Sequence, residues 1–301
     1  MRRSIVRTLL VELANEGRHV VSDWRALVLL RRASRVPPPE EHYWKGPASL
    51  AEARALLDRM EAQEDLRRLE GLLGVYEVTA PYAGRGVAGD LEVLMEVHPC
   101  VAASHHTAFA FHGLTDDQPK SLHATVPQVG TGALPVGTLE EDWHDVPRAP
   151  ARYPAAILGT PVQWHRVRAP RYIGVGEYRP EGWPVRVTTP ERTLLDGLLD
   201  PHDCGGIGTV LSAWAQRRDL LDLDEIVALV DHLGVGVLRQ RVGFIVETLG
   251  LSHGAFERWR ALGRRGGSSR LHGGAPYAPV FDERWNLSLN VPVDVLRAEA
   301  A

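Results

Sequence analysis

Three polar residues in the stretch Val185 to Gly206, VRVTTPERTLLDGLLDPHDCGG, have the types and spacing that chemistry needs: Glu191, Arg192 and Asp196. Two carboxylates around a guanidinium can hold a ligand, and with His106 and a metal ion they could serve a nuclease or hydrolase. The same spacing supports a plainer reading, which is preferred. Arg192 and Asp196 lie four apart, where opposite charges on one helix pair and fix it against its neighbours.

Other candidate chemistries lack their context. Gly84-Arg85-Gly86-Val87-Ala88-Gly89 matches the dinucleotide fingerprint, but Pro81 separates it from the preceding strand and no acid follows at the end of a second strand. His105, His106 and His112 do not have the i,i+4 spacing of a zinc helix. Ser104, His106 and Asp116 can be written as a triad, yet no nucleophile elbow surrounds the serine. Cys100 and Cys204 are the two cysteines; without Cys-x-x-Cys spacing they read as buried thiols. No catalytic residue, metal or cofactor is expected, and the chain does not read as an enzyme.

The basic residues point elsewhere. A formal net charge of -4 over 301 residues excludes nucleic-acid binding over the whole surface, so any such contact must be local. Positive charge is concentrated at the start, where Arg2, Arg3, Arg7, Arg18, Arg25, Arg31, Arg32 and Arg35 face only Glu12, Glu16 and Asp23. Arg31, Arg32, Arg35, Lys45, Arg54, Arg59, Arg67 and Arg68 are the candidate DNA contacts, because a guanidinium fork bonds phosphate or guanine through two donors at once. Asp58, Glu61, Glu64 and Asp65 lie among them and could neutralise them as an exposed ion-paired face. A later basic stretch, Arg258 to Arg270 around Gly266-Gly267-Ser268-Ser269, reads as a mobile surface loop. No apolar run approaches the ~18 residues of a membrane span, and Met1-Arg2-Arg3 opens no signal-peptide core, so a cytoplasmic location is expected.

The elements that must position these residues follow from periodicity. Ile5, Leu9, Leu10 and Leu13 predict a helix closed by Gly17. Ser22 or Asp23 caps a second helix through Arg32, and Ser49 with Glu52 boxes a third whose inward face is Leu50, Ala53, Leu56, Leu57 and Met60. Arg54, Asp58 and Arg59 are expected to face outward. Leu66 to Leu73 and Val75 to Thr79 read as two strands around Gly74. Three helices and a hairpin make a winged helix-turn-helix, although the interval Ala33 to Ala48 is far longer than the usual turn. Pro81 to Gly89 reads as a linker.

Beyond it, Ser104 caps a short helix, His105 to His112. Strand signals follow at Leu122 to Val126, Val162 to Val167, Ile173 to Val175 and Val185 to Val187. In the organising stretch, Thr189 caps a helix with Pro190 at its first position, Leu194, Leu195, Leu198 and Leu199 form its apolar face, and Asp200-Pro201 ends it. Helices are then predicted around Ile207 to Trp214, from Asp222 to Leu233 and from Val237 to Leu249, and a last strand alternates Trp285, Leu287, Leu289 and Val291.

Several of these stretches are similar to one family. Thr189 to Asp196, followed by Gly205-Gly206 opening the next helix, resembles the abortive-infection AbiEi antitoxin family. So do Val101-Ala102-Ala103-Ser104-His105-His106-Thr107-Ala108 with His112-Gly113-Leu114-Thr115, Leu66-Arg67-Arg68-Leu69 with Gly74-Val75-Tyr76, Arg241 to Glu247, and the Trp285-Asn286 ending. The resemblance implies an antitoxin that represses its own operon, partnered with a nucleotidyltransferase toxin, in antiviral defence.

Together these readings give an α+β chain, with a winged helix-turn-helix DNA-binding domain over 1-82, a linker over 83-90 and a larger mixed α/β antitoxin domain over 91-301. Operator DNA and the toxin are the expected partners. The alternatives are an effector-sensing regulator, which needs an apolar pocket with a few polar groups, and a metal-dependent hydrolase or nuclease with a winged-helix targeting domain, which needs convergent carboxylates and an ion.

Overall fold

The computed structural model describes residues 4-35, 45-80, 86-128, 134-263 and 267-298. The helices are α1 (Ile5–Asn15), α2 (Asp23–Arg35), α3 (Leu50–Ala62), α4 (Asp90–Val97), α5 (His105–Phe111), α6 (Pro190–Leu199), α7 (Ile207–Gln216), α8 (Leu223–Leu233), α9 (Gly236–Thr248), α10 (Phe256–Gly263) and α11 (Asp294–Ala298). The strands are β1 (Val20–Ser22), β2 (Leu66–Arg68), β3 (Val75–Val78), β4 (Ala102–Ala103), β5 (Leu122–Pro127), β6 (Ala156–Ile157), β7 (Thr160–Val167), β8 (Val175–Tyr178), β9 (Val185–Thr188), β10 (Ser269–Arg270), β11 (Phe281–Asp282) and β12 (Leu287–Ser288). Among the described residues the chain is thus a mixed α/β protein with three sheets. No helix among the described residues is long and apolar enough to cross a membrane.

Contacts divide the chain into two compact units: Met1–Ala102 with Val126–Arg166 and Glu177–Arg186, and Ala103–Thr125 with Val167–Gly176 and Val187–Ala301. In the first unit the helices α1, α2 and α3 enclose Leu9, Leu10, Leu13, Leu30, Leu57 and Met60. Their spacing puts each set on one face of its helix, so burial follows from the sequence pattern. The Ser49 hydroxyl accepts the Glu52 N–H at 3.2 Å, and the Glu52 carboxylate returns a bond to the Ala48 N–H at 3.0 Å, fixing where α3 begins.

A sheet in the order β1-β3-β2 closes this core. Strand β3 pairs antiparallel with both neighbours, Tyr76 lying opposite Val21 on one side and Arg68 on the other. Strand β2 stops at Arg68, short of the expected Leu73, because the chain turns where the Leu72 N–H bonds back to the Leu69 carbonyl at 3.2 Å.

Helix α4 belongs to the same unit and is anchored by two buried carboxylates. Glu92 accepts the His19 and Val20 N–H groups at 2.9 and 3.1 Å. Glu96 accepts Arg18 Nη1 at 3.1 Å, Arg25 Nε at 3.0 Å and the Ser22 hydroxyl at 2.5 Å, and all three charged side chains are 0% exposed. Buried charges persist only when paired in this way. Of the expected linker over 83-90, residues 83-85 lie outside the described set, and the fingerprint-like Gly84-Arg85 lies there too. The long interval between α2 and α3 is likewise described only at its two ends.

The second unit is mainly helical. Helices α6 to α9 bury Leu194, Leu195, Leu198, Trp214, Val230, Val242 and Ile245 in one core. Thr189 caps α6 through a 3.2 Å bond from the Arg192 N–H, and Asp222 caps α8 through a 2.9 Å bond from the Glu225 N–H. Strands β4 and β9 pair in parallel at Ala103 and Val187. At the C-terminal end the expected strand Trp285 to Val291 shrinks to the two residues of β12, which lies between β10 and β11. Asn286 has φ +52, a left-handed turn that precedes the strand, and Asn290 ends it by donating to the His272 and Pro276 carbonyls at 2.8 and 3.0 Å.

Candidate functional site

The candidate DNA contacts separate into three groups by what already holds them. Arg31, Arg32 and Arg35, on the last turns of α2, are tied to the segment 137-144 of the same unit. Arg31 donates to the His144 carbonyl at 2.8 Å, Arg35 to the Glu141 carbonyl at 3.0 Å, and Arg32 to both oxygens of Asp142 at 2.6 and 3.0 Å. Burial alone would raise the Asp142 carboxyl, but the Arg32 guanidinium and the Leu139 N–H hold it below the usual carboxylate range. Arg54 is turned inward: its Nη2 meets Asp23 Oδ2 at 2.5 Å, and Arg152 reaches the same oxygen at 2.7 Å. The expected outward position of Arg54 is therefore corrected. A buried acid at the start of α2 draws it in, where a carboxylate also complements the helix N-terminus.

The second group lies on the hairpin. Arg67 pairs with Glu77, its cross-strand partner in register, while remaining largely exposed. Arg68 reaches Asp58 at 2.7 Å and Glu61 at 3.1 Å, and its guanidinium lies 5.2 Å from the Tyr76 ring centre. The Tyr76 hydroxyl donates to Asp58 at 2.5 Å, and burial together with that carboxylate pushes its pKa up. Of the acids noted in the sequence, Asp58 and Glu61 thus neutralise Arg68, while Arg67 is neutralised by Glu77, which was not among them.

Lys45 and Arg59 form the third group. Both are exposed and neither has a hydrogen bond or ion pair among the described residues. With Ile5, Pro47, Glu52, Ala55 and Leu56 they line an open groove of about 580 Å³. Ala51, Ala55 and Ala62 are exposed on the same helix, so small side chains bring much of the α3 surface close to whatever it meets.

In the second unit, Glu191, Arg192 and Asp196 are all buried, at 5, 5 and 3% exposure. Arg192 Nε donates to Asp196 Oδ1 at 2.8 Å, and its Nη1 donates to the Arg171 and Ile173 carbonyls at 3.0 and 2.9 Å. Gly174 makes room for this: it has φ +64, and a Cβ there would sit 2.7 Å from the Arg192 Cβ. The pair therefore clamps a loop onto α6. Glu191 does not join it; its charge acts on Glu225 and His112 instead. Burial raises the Glu225 pKa, and Glu191 adds to the rise against a hydrogen bond from Thr189. Burial lowers that of His112, whose Nε2 lies 2.7 Å from the Thr188 carbonyl and so carries the proton.

The written triad does not assemble. Ser104 is 0% exposed, and its hydroxyl is engaged by Thr125 at 2.8 Å and by His105 Nδ1 at 2.9 Å. Asp116 is exposed. His105 has φ +49 at the strand-to-helix turn, a left-handed position for a residue with a side chain. The residues that sequence reasoning missed are the buried acids Glu92, Glu96, Asp23 and Asp142, whose partners are distant in the chain.

These features define the class: an α/β chain whose first unit starts with three helices and a small sheet, and whose second unit is a helical core reached through short strands. Residues 101–248 match the family model for the AbiEi antitoxin C-terminal domain, and over that stretch the chain is similar to the AbiEi-type antitoxin family. Among solved structures it is similar to the crystal structure of the RV2827C protein from Mycobacterium tuberculosis. That similarity has TM-score 0.55 at 13% identity, over 98% of this chain and 94% of that one, so it bears on the fold alone. The comparison with curated proteins returned no match.

Proposed function

We propose that this antitoxin-family chain is a DNA-binding autorepressor of its own toxin-antitoxin operon, and that the toxin it counters is a nucleotidyltransferase. The observation that carries the DNA-binding part is the order α1-β1-α2-α3-β2-β3 with the sheet β1-β3-β2. That order supports reading the segment as a winged helix-turn-helix, in which the third helix would enter the major groove and the hairpin flank it. Residues 1-82 are the proposed reader, 83-90 the connection and 91-301 the antitoxin part. Of the candidate contacts in the reader, Arg59 on α3 and Lys45 just before it have no ion pair among the described residues and so meet phosphate or base first. Arg67 and Arg68 follow, once they exchange their carboxylates for DNA. Arg54 ties α3 to the start of α2 inside the reader, and Arg31, Arg32 and Arg35 are engaged by the segment 137-144 beyond it. The toxin partner rests on the family match over 101–248.

Co-expression tests the antitoxin part. Growth arrest caused by a nucleotidyltransferase encoded beside this gene should be relieved by the full chain. A reporter behind the native promoter should be repressed by the full chain and released when residues 1-90 are deleted. Arrest that the chain leaves untouched would overturn the pairing, and a reporter it does not repress would overturn autorepression.

A further inference from the structure

The first unit carries a second cluster, made of residues other than those assigned to DNA and built of rings and arginines. The rings of His98, Tyr153 and Trp164 lie mutually close, with centres 5.0 Å (His98 to Tyr153), 5.8 Å (His98 to Trp164) and 5.3 Å (Tyr153 to Trp164) apart. Tyr153 and Trp164 meet edge to face at 78°, and the Arg166 guanidinium lies 4.3 Å from the Tyr153 ring centre. Tyr153 is 39% exposed and Trp164 half-buried, whereas His98 lies beneath them at 3%. Rings left partly open to water on a folded surface, with a guanidinium stacked on one of them, form a platform on which a flat π system can continue the stack.

The cluster has an orphan and a charge. His98 Nδ1 accepts the Cys100 N–H at 3.2 Å, so the imidazole proton sits on Nε2. That Nε2 is buried and has no acceptor. Burial lowers the His98 pKa to about 4, so the ring stays neutral and keeps a single N–H to donate. The charges acting on this corner are cationic: Arg166 acts on His98, and Arg186 and Arg148 act on Cys100. Arg148 is paired with Glu140. Arg186 donates to the Pro99 and Leu134 carbonyls, at 3.3 and 2.6 Å, and among the described residues it has no ion pair. An aliphatic ligand would make no use of the arginines. A nucleobase offers a π face and ring acceptors, and its phosphate offers an anion.

We propose that His98, Tyr153, Trp164 and Arg166, with Arg186 beside them, form a binding site for single-stranded nucleic acid, separate from the α3 surface. Bases stack on Tyr153 and Trp164, and Arg166 and Arg186 meet the backbone. Aromatic platforms edged with cations bind single strands in this manner, tolerant of sequence and sensitive to salt.

Fluorescence anisotropy of the full chain with labelled 12-nucleotide oligo(U) and oligo(dT), read against salt, tests this. The Arg59→Ala, Lys45→Ala double variant serves as background, so that failure of the operator reading leaves this test intact. Tyr153→Ala and Trp164→Ala should each weaken binding by roughly 5- to 150-fold, the value of one stacked base. Arg166→Ala should lower the salt slope by about 0.7. Trp164→Phe, which keeps a ring, should recover most of the lost affinity, and it separates stacking from a packing defect if Trp164→Ala fails to fold. No binding by the parent chain at low salt would overturn the site. So would equal affinity in Tyr153→Ala and Arg166→Ala, both altered at exposed positions. Uridine monophosphate binding as tightly as the oligomer would overturn the strand assignment.

Discussion

The heaviest electrostatic commitment in the first unit is Glu96, and replacing it with glutamine measures that commitment. Glu96 accepts Arg18 Nη1 at 3.1 Å, Arg25 Nε at 3.0 Å and the Ser22 hydroxyl at 2.5 Å, with every charged member 0% exposed. Glutamine keeps the shape but leaves buried Arg25 without its paired carboxylate and Arg18 with Glu16 alone, and breaking a buried pair from one side costs about 3–5 kcal/mol. In a unit of about 150 residues each kcal/mol moves the melting temperature by about 2–4 °C, so Glu96→Gln should lower it by about 6–20 °C. Calorimetry of the full chain at pH 7 reads this. Glu77→Gln is the control, because its partner Arg67 is 70% exposed on its side chain, against 13% for Glu77, so that pair is screened by solvent on one side and contributes less than a fully buried network. A Glu96→Gln loss no larger than that of Glu77→Gln would refute the argument that α4 is held by this charge network.

Three further outcomes follow from the same reasoning. The His98 imidazole titrates near 4 in the fold against an ordinary 6.5, so the unfolded chain takes the proton first; stability is full above pH 6.5 and is lost as pH falls to 4. The loss is about 3 kcal/mol, and denaturant titrations at pH 7 and pH 4 should show His98→Gln shrinking the difference by that amount. A Cβ on Gly243 would lie 2.1 Å from the buried Trp285 ring, so Gly243→Ala should cost about 1–3 kcal/mol by overpacking, visible as a lower urea midpoint at unchanged slope. Thr189→Ala removes the cap of α6 and the 3.0 Å bond to Glu225, and about 1 kcal/mol should be lost in the same assay.

Local signals in the sequence carried much of the helical fold. Thr189-Pro190, Asp222 with Glu225, and Ser49 with Glu52 each name a helix start through one side chain and its own backbone, so short-range reading suffices. The family resemblance read on Ser104 to Thr115 and Thr189 to Asp196 falls inside the matched stretch 101–248. What escaped was set by distant partners. Strand β1 is three residues long and exists because Val20, Val21 and Ser22 meet Glu77, Tyr76 and Val75, a pairing that no periodicity in the first segment announces. Helix α4 is hidden in the sequence because Glu92 and Glu96 look like surface acids until the His19 and Val20 amides meet the first and Arg18 and Arg25 the second. The direction of Arg54 was misjudged for the same reason, since Asp23 lies 31 residues earlier. The Tyr153 and Trp164 cluster combines three separate segments, and only folding brings His98 beneath it.

Binding to the chain's own upstream DNA tests the central claim most directly. A mobility shift with that duplex, repeated from 50 to 200 mM salt, should show retardation by the full chain. Arg59→Ala with Lys45→Ala should weaken it and lower the salt slope by about 2. Arg32→Ala should leave the slope unchanged, because Asp142 already occupies that guanidinium. An upstream duplex that the full chain does not retard at low salt, or a slope indifferent to the loss of Lys45 and Arg59, would contradict the account.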